Sequence, residues 1–146
     1  MAVNQDFAGR TFPPGDPYEV SRVKIREFAD AIGDMSPVYR DRDAAVAAGH
    51  PDVIAPPTFA IVISMANSAR AMGDPGLGLN YAMVVHGEQR FEYTRPIQAG
   101  DVLVATSTIA GIRVVKNNTM ITTETAIDTV AGEHVCTAHS ILVERG

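Results

Sequence analysis

Apolar and polar positions along the 146-residue chain fall into two regimes. In the first half, apolar residues recur at helical spacing. Val23, Ile25, Phe28, Ala29 and Ile32 approximate one face of a helix that Ser21 would cap and Gly33 would end. Asp43 to Ala48 predicts one or two further turns, closed by Gly49. The stretch 50–57 holds three prolines and must be irregular, because proline lacks an N–H and restricts the residue before it. Residues 58–72 admit two readings. Phe59-Ala60-Ile61-Val62-Ile63 would suit a buried strand by propensity, but Pro56-Pro57-Thr58 makes a good helix start and Gly73 a good stop. After Thr58, only Ser64, Asn67, Ser68 and Arg70 are polar there, so the helix is expected to be buried on most sides and wrapped by sheet. Residues 1–20, with Phe7, Phe12, Pro13, Pro14, Gly15, Pro17 and Tyr18, read as an extended arm with turns.

From about Met83 the period becomes two. Strands are predicted at 83–94, 101–113, 118–129 and 134–144, with turns at 96–101, 116–118 and 131–133. Such short connections imply antiparallel pairing. One long helix with a long antiparallel sheet is an α+β fold, the helix packed on one sheet face. No repeat or linker divides the chain, so residues 1–146 are expected to form a single domain.

Composition narrows the function classes. Hydrophobic residues make up 46% and charged residues 20%, which is globular rather than disordered. One cysteine excludes an internal disulfide framework and a multi-cysteine zinc site. A net charge of −5 argues against a nucleic-acid partner. No apolar run reaches the roughly 18 residues of a membrane span, and the N-terminus lacks a signal-peptide pattern, so a cytoplasmic protein is expected. His134 and His139, five residues apart on one strand, are expected on opposite faces, and neither a metal nor another cofactor is expected. Cys136 reads as a small buried strand residue.

The segment from Phe28 to Tyr39 carries the chemistry. Its Gly33, Asp34, Pro37 and Val38 resemble the Gly-Asp-x-Asn-Pro-(apolar)-His signature of MaoC-like hot-dog proteins, which include R-specific enoyl-CoA hydratases and (3R)-hydroxyacyl-thioester dehydratases. Ala55-Pro56-Pro57-Thr58 and the stretch from Phe91 to Asp101 resemble the family as well, in the same order. The resemblance implies a single hot-dog fold, an antiparallel sheet wrapped around the helix at 58–72. It implies an acyl-CoA or acyl-ACP thioester as ligand, and an Asp and a His that activate the water added to or removed from the enoyl double bond. Tyr39 stands where active members place histidine, and Ser36 where they place asparagine. A phenol with an ordinary pKa near 10 stays protonated at neutral pH, and losing acid–base help is worth roughly 10²–10⁴ in rate.

That departure resembles the non-catalytic, substrate-holding subunit of heterodimeric actinobacterial (3R)-hydroxyacyl-ACP dehydratases. The segments Tyr18 to Val20, Lys24 to Phe28 and Val85 to Phe91 look like that branch. The resemblance implies a hetero-dimer with a catalytic hot-dog subunit, a homodimer remaining possible for the isolated chain, and dehydration to a trans-2-enoyl thioester in fatty-acid-type elongation. A self-sufficient homodimeric hydratase, using Asp34 with His50 or His86, is the rival, and an acyl-binding scaffold without activity is another. A thioesterase would need a carboxylate on the helix at 58–72, which has none.

The candidate residues each have a plainer alternative. Asp34 and Tyr39 form the degenerate catalytic pair, or else a loop acid bonding local backbone and a packed tyrosine. Thr58 and Phe59 would offer helix N-terminal N–H groups to the thioester carbonyl, or Thr58 simply caps the helix. Ser64, Asn67, Ser68 and Ala71 form a stripe that lines a tunnel, meets a partner or faces outward; Phe59, Met65 and Met72 read as core. His86 beside Gly87 marks a bulge or a close approach to ligand, or is a half-buried strand histidine. His50 reads as a surface-loop residue. Docking of an acidic carrier protein would need a local basic patch, expected around Arg90 and Arg95.

Overall fold

The computed structural model describes residues 2–146. Ser21 opens the first helix, its hydroxyl accepting the Lys24 N–H at 3.1 Å. This helix, α1 (Arg22–Ala31), buries Ile25 and Ala29 and gives way at Gly33, whose φ of +71° suits a residue without Cβ. Asp41 starts the short α2 (Arg42–Ala47) by accepting the Asp43 N–H. The central helix, α3, spans Ala60–Met72.

Among the described residues four strands follow the predicted boundaries closely, and one short strand is added. They are β1 (Tyr18–Glu19), β2 (Val84–Tyr93), β3 (Val102–Val115), β4 (Asn118–Thr129) and β5 (His134–Glu144). All pair antiparallel in the order β1-β3-β4-β5-β2, in one curled sheet. Alternate positions point to α3: Leu103, Ala105, Ser107 and Ile109 on β3, and Ile121, Thr123, Thr125 and Ile127 on β4, are buried.

The core has two apolar parts. Phe59, Ala60 and Ile63 pack with Leu103, Ile127 and Val135 at one end of α3. Ala71 and Met72 pack with Val3, Phe7, Leu77 and Ile121 at the other. A buried polar bridge crosses the helix–sheet interface: Asn67 Nδ2 donates to Ser107 Oγ at 2.7 Å, and Ser107 Oγ lies 2.7 Å from Thr125 Oγ1.

Two expectations need correcting here. The segment 1–20 is more than an extended arm: it runs beside β3, with the Gly9, Phe12 and Gly15 N–H groups donating to Ile109, Ser107 and Ala105 carbonyls, and it buries Val3 and Phe7. His134 and His139 lie on the same, outer face of β5. Val135 is a bulge, since Ile127 faces Cys136 while Asp128 faces His134, and one inserted residue reverses the alternation.

The strand-turn-strand at 93–101 is fixed by charge. Asp101, buried, takes two hydrogen bonds from Arg95 at 2.9 and 3.0 Å and one from the Gln98 N–H, while Glu133 holds the other side of the guanidinium. Arg90 is paired with Glu92. The expected basic patch at Arg90 and Arg95 is therefore neutralised within the chain. Arg95→Met strands the Asp101 carboxylate and is expected to cost about 2 kcal/mol, read as a lower urea midpoint with unchanged m-value; an unchanged midpoint would contradict this.

Candidate functional site

The motif loop is locally closed. Asp34 Oδ1 accepts the Ser36 N–H at 3.1 Å, and Arg40 clamps the loop by donating to the Asp34 carbonyl at 2.6 Å while pairing with Asp30. Tyr39 ends a 3-10 turn, Pro37–Tyr39, and packs against the core. Burial, and then the Asp34 charge, push its phenol above the ordinary value, so it is a hydrogen-bonding group and not a base. Tyr39, Ala55, Pro57, Tyr93 and Arg95 line a cavity of about 350 Å³. Tyr93 donates to the Pro57 carbonyl at 2.6 Å, and burial raises its pKa far above the ordinary value. This cavity offers phenols and a guanidinium, with no group titrating near neutrality. It can bind but is not equipped to move a proton.

Thr58 does not cap α3. Residues 57–59 already turn, Phe59 in the cap position is helical, and it makes no side-chain capping bond. The N–H groups of Phe59, Ile61 and Val62 donate to the Pro56, Thr58 and Phe59 carbonyls in i→i−3 fashion, which ties up donors expected for a thioester oxygen. The Phe59 ring is wholly buried, edge-on to Phe28 at 5.3 Å.

A second cavity lies beneath α3, where a mostly apolar cleft of about 290 Å³ separates the helix from β4, β5 and β2. Ile61, Ser64, Met65, Ser68 and Met72 line it at i, i+3, i+4, i+7 and i+11, one helical face. The stripe at Ser64, Asn67 and Ala71 is buried toward the sheet rather than outward, and Met65, read as core, is half exposed at the cleft. Across from them stand His86, Gln89, Ser140 and Leu142.

Gly87 arranges that wall. It is the bulged residue of β2, His86 pairing with Leu142 and Glu88 with Ile141, so His86 and Gln89 both face the cleft. A Cβ at 87 would lie 3.1 Å from Val143 Cγ2 and 3.2 Å from the Ile141 carbonyl. His86 Nε2 lies 3.0 Å from the Glu88 carbonyl and 3.1 Å from Gln89 Oε1, both acceptors, so Nε2 carries the proton. It cannot accept one from Ser140 Oγ at 3.4 Å, and no Ser–His nucleophile forms.

The structure thus brings Ser64 and His86 to one cleft, leaves Gly87 outside its lining as the bulge behind His86, and places Asp34 and Tyr39 in a separate loop region. Thr58 is exposed, and the Phe59 side chain belongs to the core. His50 donates its N–H to the Ala45 carbonyl and lines neither cavity. Gln89 and Ser140 escaped sequence reading, although the His86-Gly87 bulge signal would have put 86 and 89 on one face. On the outer face, Asp128 Oδ1, His134 Nδ1, His134 Nε2 and Thr137 Oγ1 form an acid–imidazole–hydroxyl chain at 2.6 and 2.9 Å. These residues line none of the cavities described above. Among the described residues no cluster of three His, Cys, Asp or Glu could hold a metal, and no helix is long and apolar enough to cross a membrane.

Cys136 is buried, and burial is the main cause that pushes its thiol up to about 11 from 9.0. The folded chain keeps this proton when the unfolded chain has lost it, so stability is expected to fall as pH rises from about 9 toward about 11. At neutral pH, Ellman's reagent should label the thiol only after denaturation; rapid labelling of native protein would contradict this.

A curled antiparallel sheet around one central helix, with a cleft under that helix, defines a hot-dog protein of the MaoC-like dehydratase type. The chain belongs to the FAS1-like dehydratase domain region family, whose profile matches residues 6–138. It is 54% identical over 146 residues to a UPF0336 protein of Thermobifida fusca, covering 100% of this chain and 96% of that one. Among solved structures it resembles a MaoC-like dehydratase at TM-score 0.89 and 34% identity, spanning 97% of this chain but 43% of that longer one. It also resembles the HadBC (3R-hydroxyacyl-ACP dehydratase) complex of Mycobacterium tuberculosis, at TM-score 0.82 and 27% identity, over 94% of this chain and 97% of that one.

Proposed function

We propose that this chain is the substrate-binding, non-catalytic subunit of a (3R)-hydroxyacyl-ACP or -CoA dehydratase in fatty-acid-type elongation, paired with a hot-dog subunit that carries the Asp and His. The observation that carries the reading is the separation of a usable apolar cleft under α3 from a motif loop in which Tyr39 replaces the imidazole. Likeness to HadBC, a 3R-hydroxyacyl-ACP dehydratase complex, supports a two-chain assembly.

The surface favours a partner beside that cleft. Among the described residues β2 pairs only with β5, so its other edge is open over ten residues. Met65, Tyr81 and Val85 stand near it 50%, 54% and 41% exposed. A second sheet added along β2 would cover them and bring its own motif loop to the cleft mouth. In the reaction, the catalytic subunit removes the C2 proton and protonates the departing 3-hydroxyl, yielding enoyl thioester and water; Ser64, Met65 and Met72 hold the acyl chain.

The test is crotonyl-CoA hydration by the purified chain alone and after co-expression with a hot-dog subunit bearing Gly-Asp-x-Asn-Pro-x-His. A stoichiometric complex with activity, against little from either chain, is expected. Appreciable activity of this chain alone, lost in Asp34→Asn, would overturn the reading in favour of a self-sufficient hydratase.

A further inference from the structure

The outer face of the sheet carries one side-chain constellation that acyl binding does not use. His134 and Thr137 are three residues apart, so a regular strand would set them on opposite faces. The bulge at Val135 brings them to the same face. Thr94 pins that bulge: its N–H donates to the Val135 carbonyl at 2.9 Å, and its hydroxyl donates to the His134 carbonyl at 2.6 Å. Asp128 stands opposite His134 on β4, with Oδ1 2.6 Å from Nδ1 of the ring.

The ionised carboxylate only accepts, so Nδ1 of the neutral ring carries the proton and Nε2 keeps its lone pair. Thr137 Oγ1, 2.9 Å from Nε2, therefore donates to it. This is the reverse of His86, whose Nε2 holds its proton against two acceptors and cannot take one from Ser140. An acid that orients an imidazole, and an imidazole that draws on a hydroxyl, is the arrangement that activates an alcohol as a nucleophile. The group is open to solvent: the His134 and Asp128 side chains are 42% and 40% exposed, and Thr137 is partly exposed. Its neighbour on β4 is Ala126, a side chain too short to cover the hydroxyl. On the β2 side, Glu92 has its two oxygens beside Arg90 and His139.

We propose that Thr137 is an acyl-acceptor site, whose hydroxyl takes a small acyl group from an activated ester or thioester. Thr137 Oγ1 bonds to the acyl carbonyl carbon while its proton passes to His134 Nε2. The carbon–sulfur or carbon–oxygen bond to the leaving group then breaks, and the departing thiolate or phenolate takes the proton from the imidazolium. The products are an ester on Thr137, the free thiol or phenol, and a neutral His134. His134 is the base, and Asp128 is a positioning residue that holds the ring in the right tautomer. The site lies on the sheet face away from α3, so it is independent of the acyl-binding reading.

The experiment treats the full chain with p-nitrophenyl acetate at neutral pH and locates the acetyl groups by peptide mass spectrometry. Thr137 should gain an acetyl group. Exposed Lys24 and Lys116, away from the site, serve as references within the same molecule and should react alike in every variant. Relative to them, His134→Gln should slow labelling of Thr137 by roughly 10²–10⁴, the worth of a positioned base. Asp128→Asn, which lets Nε2 keep the proton, should slow it as well. Thr137→Val keeps the side-chain shape and should lose the label, whereas Thr137→Ser keeps the hydroxyl and should retain it. Acetyl groups confined to amines, or labelling of Thr137 at an unchanged rate in His134→Gln, overturns the proposal.

Discussion

In the two-chain dehydratase proposed above, Asp34→Asn in this chain is expected to change kcat less than about twofold, whereas replacing the catalytic subunit's motif histidine should lower it by roughly 10²–10⁴, the contribution of a positioned acid–base group. The asymmetry follows from the loop. Asp34 spends one carboxylate oxygen on the Ser36 N–H, its backbone is clamped by Arg40, and the neighbouring Tyr39 holds its proton. Steady-state hydration of crotonyl-CoA by the two complexes measures it. Comparable losses from both substitutions would place Asp34 in the chemistry and undo the division of labour.

The largest stability effect is expected at Phe59. Its ring is fully buried where α1, the start of α3 and the sheet meet, and it packs edge-on against Phe28. Phe59→Ala should cost about 3–5 kcal/mol, transfer and cavity terms together, and lower Tm by about 10 °C. Chemical denaturation followed by far-UV circular dichroism checks the value. A loss under about 1 kcal/mol would mean that the helix start repacks freely.

The strands were legible because their ends are marked by turn residues and their middles by β-branched side chains. The four long strands lie within about two residues of the reading. The type of α3 was legible from its flanks; its start was not, because the first turn is closed by i→i−3 backbone bonds and needs no cap from Thr58. What pattern reading lost was parity. A bulge at Val135 put His134 and His139 on one face, and another at Gly87 brought Gln89 beside His86. Each depends on one inserted residue, which an alternation rule has no means of placing. Prolines give the N-terminal segment the pattern of an arm, yet Val3 and Phe7 find core partners far away in the chain.

The open edge of β2 has a consequence for the cell's accounting of subunits. A ten-residue strand with one unpaired side, next to exposed Tyr81 and Val85, is a template for strand addition by whatever meets it first. In the proposed pairing, copies made in excess of the catalytic subunit would present that template to one another, and matched synthesis would keep it covered. Overexpression of this chain alone should yield sticky, partly self-associated material, while balanced co-expression should yield a soluble pair. Dosage, as much as catalysis, would then hold the two chains' production together.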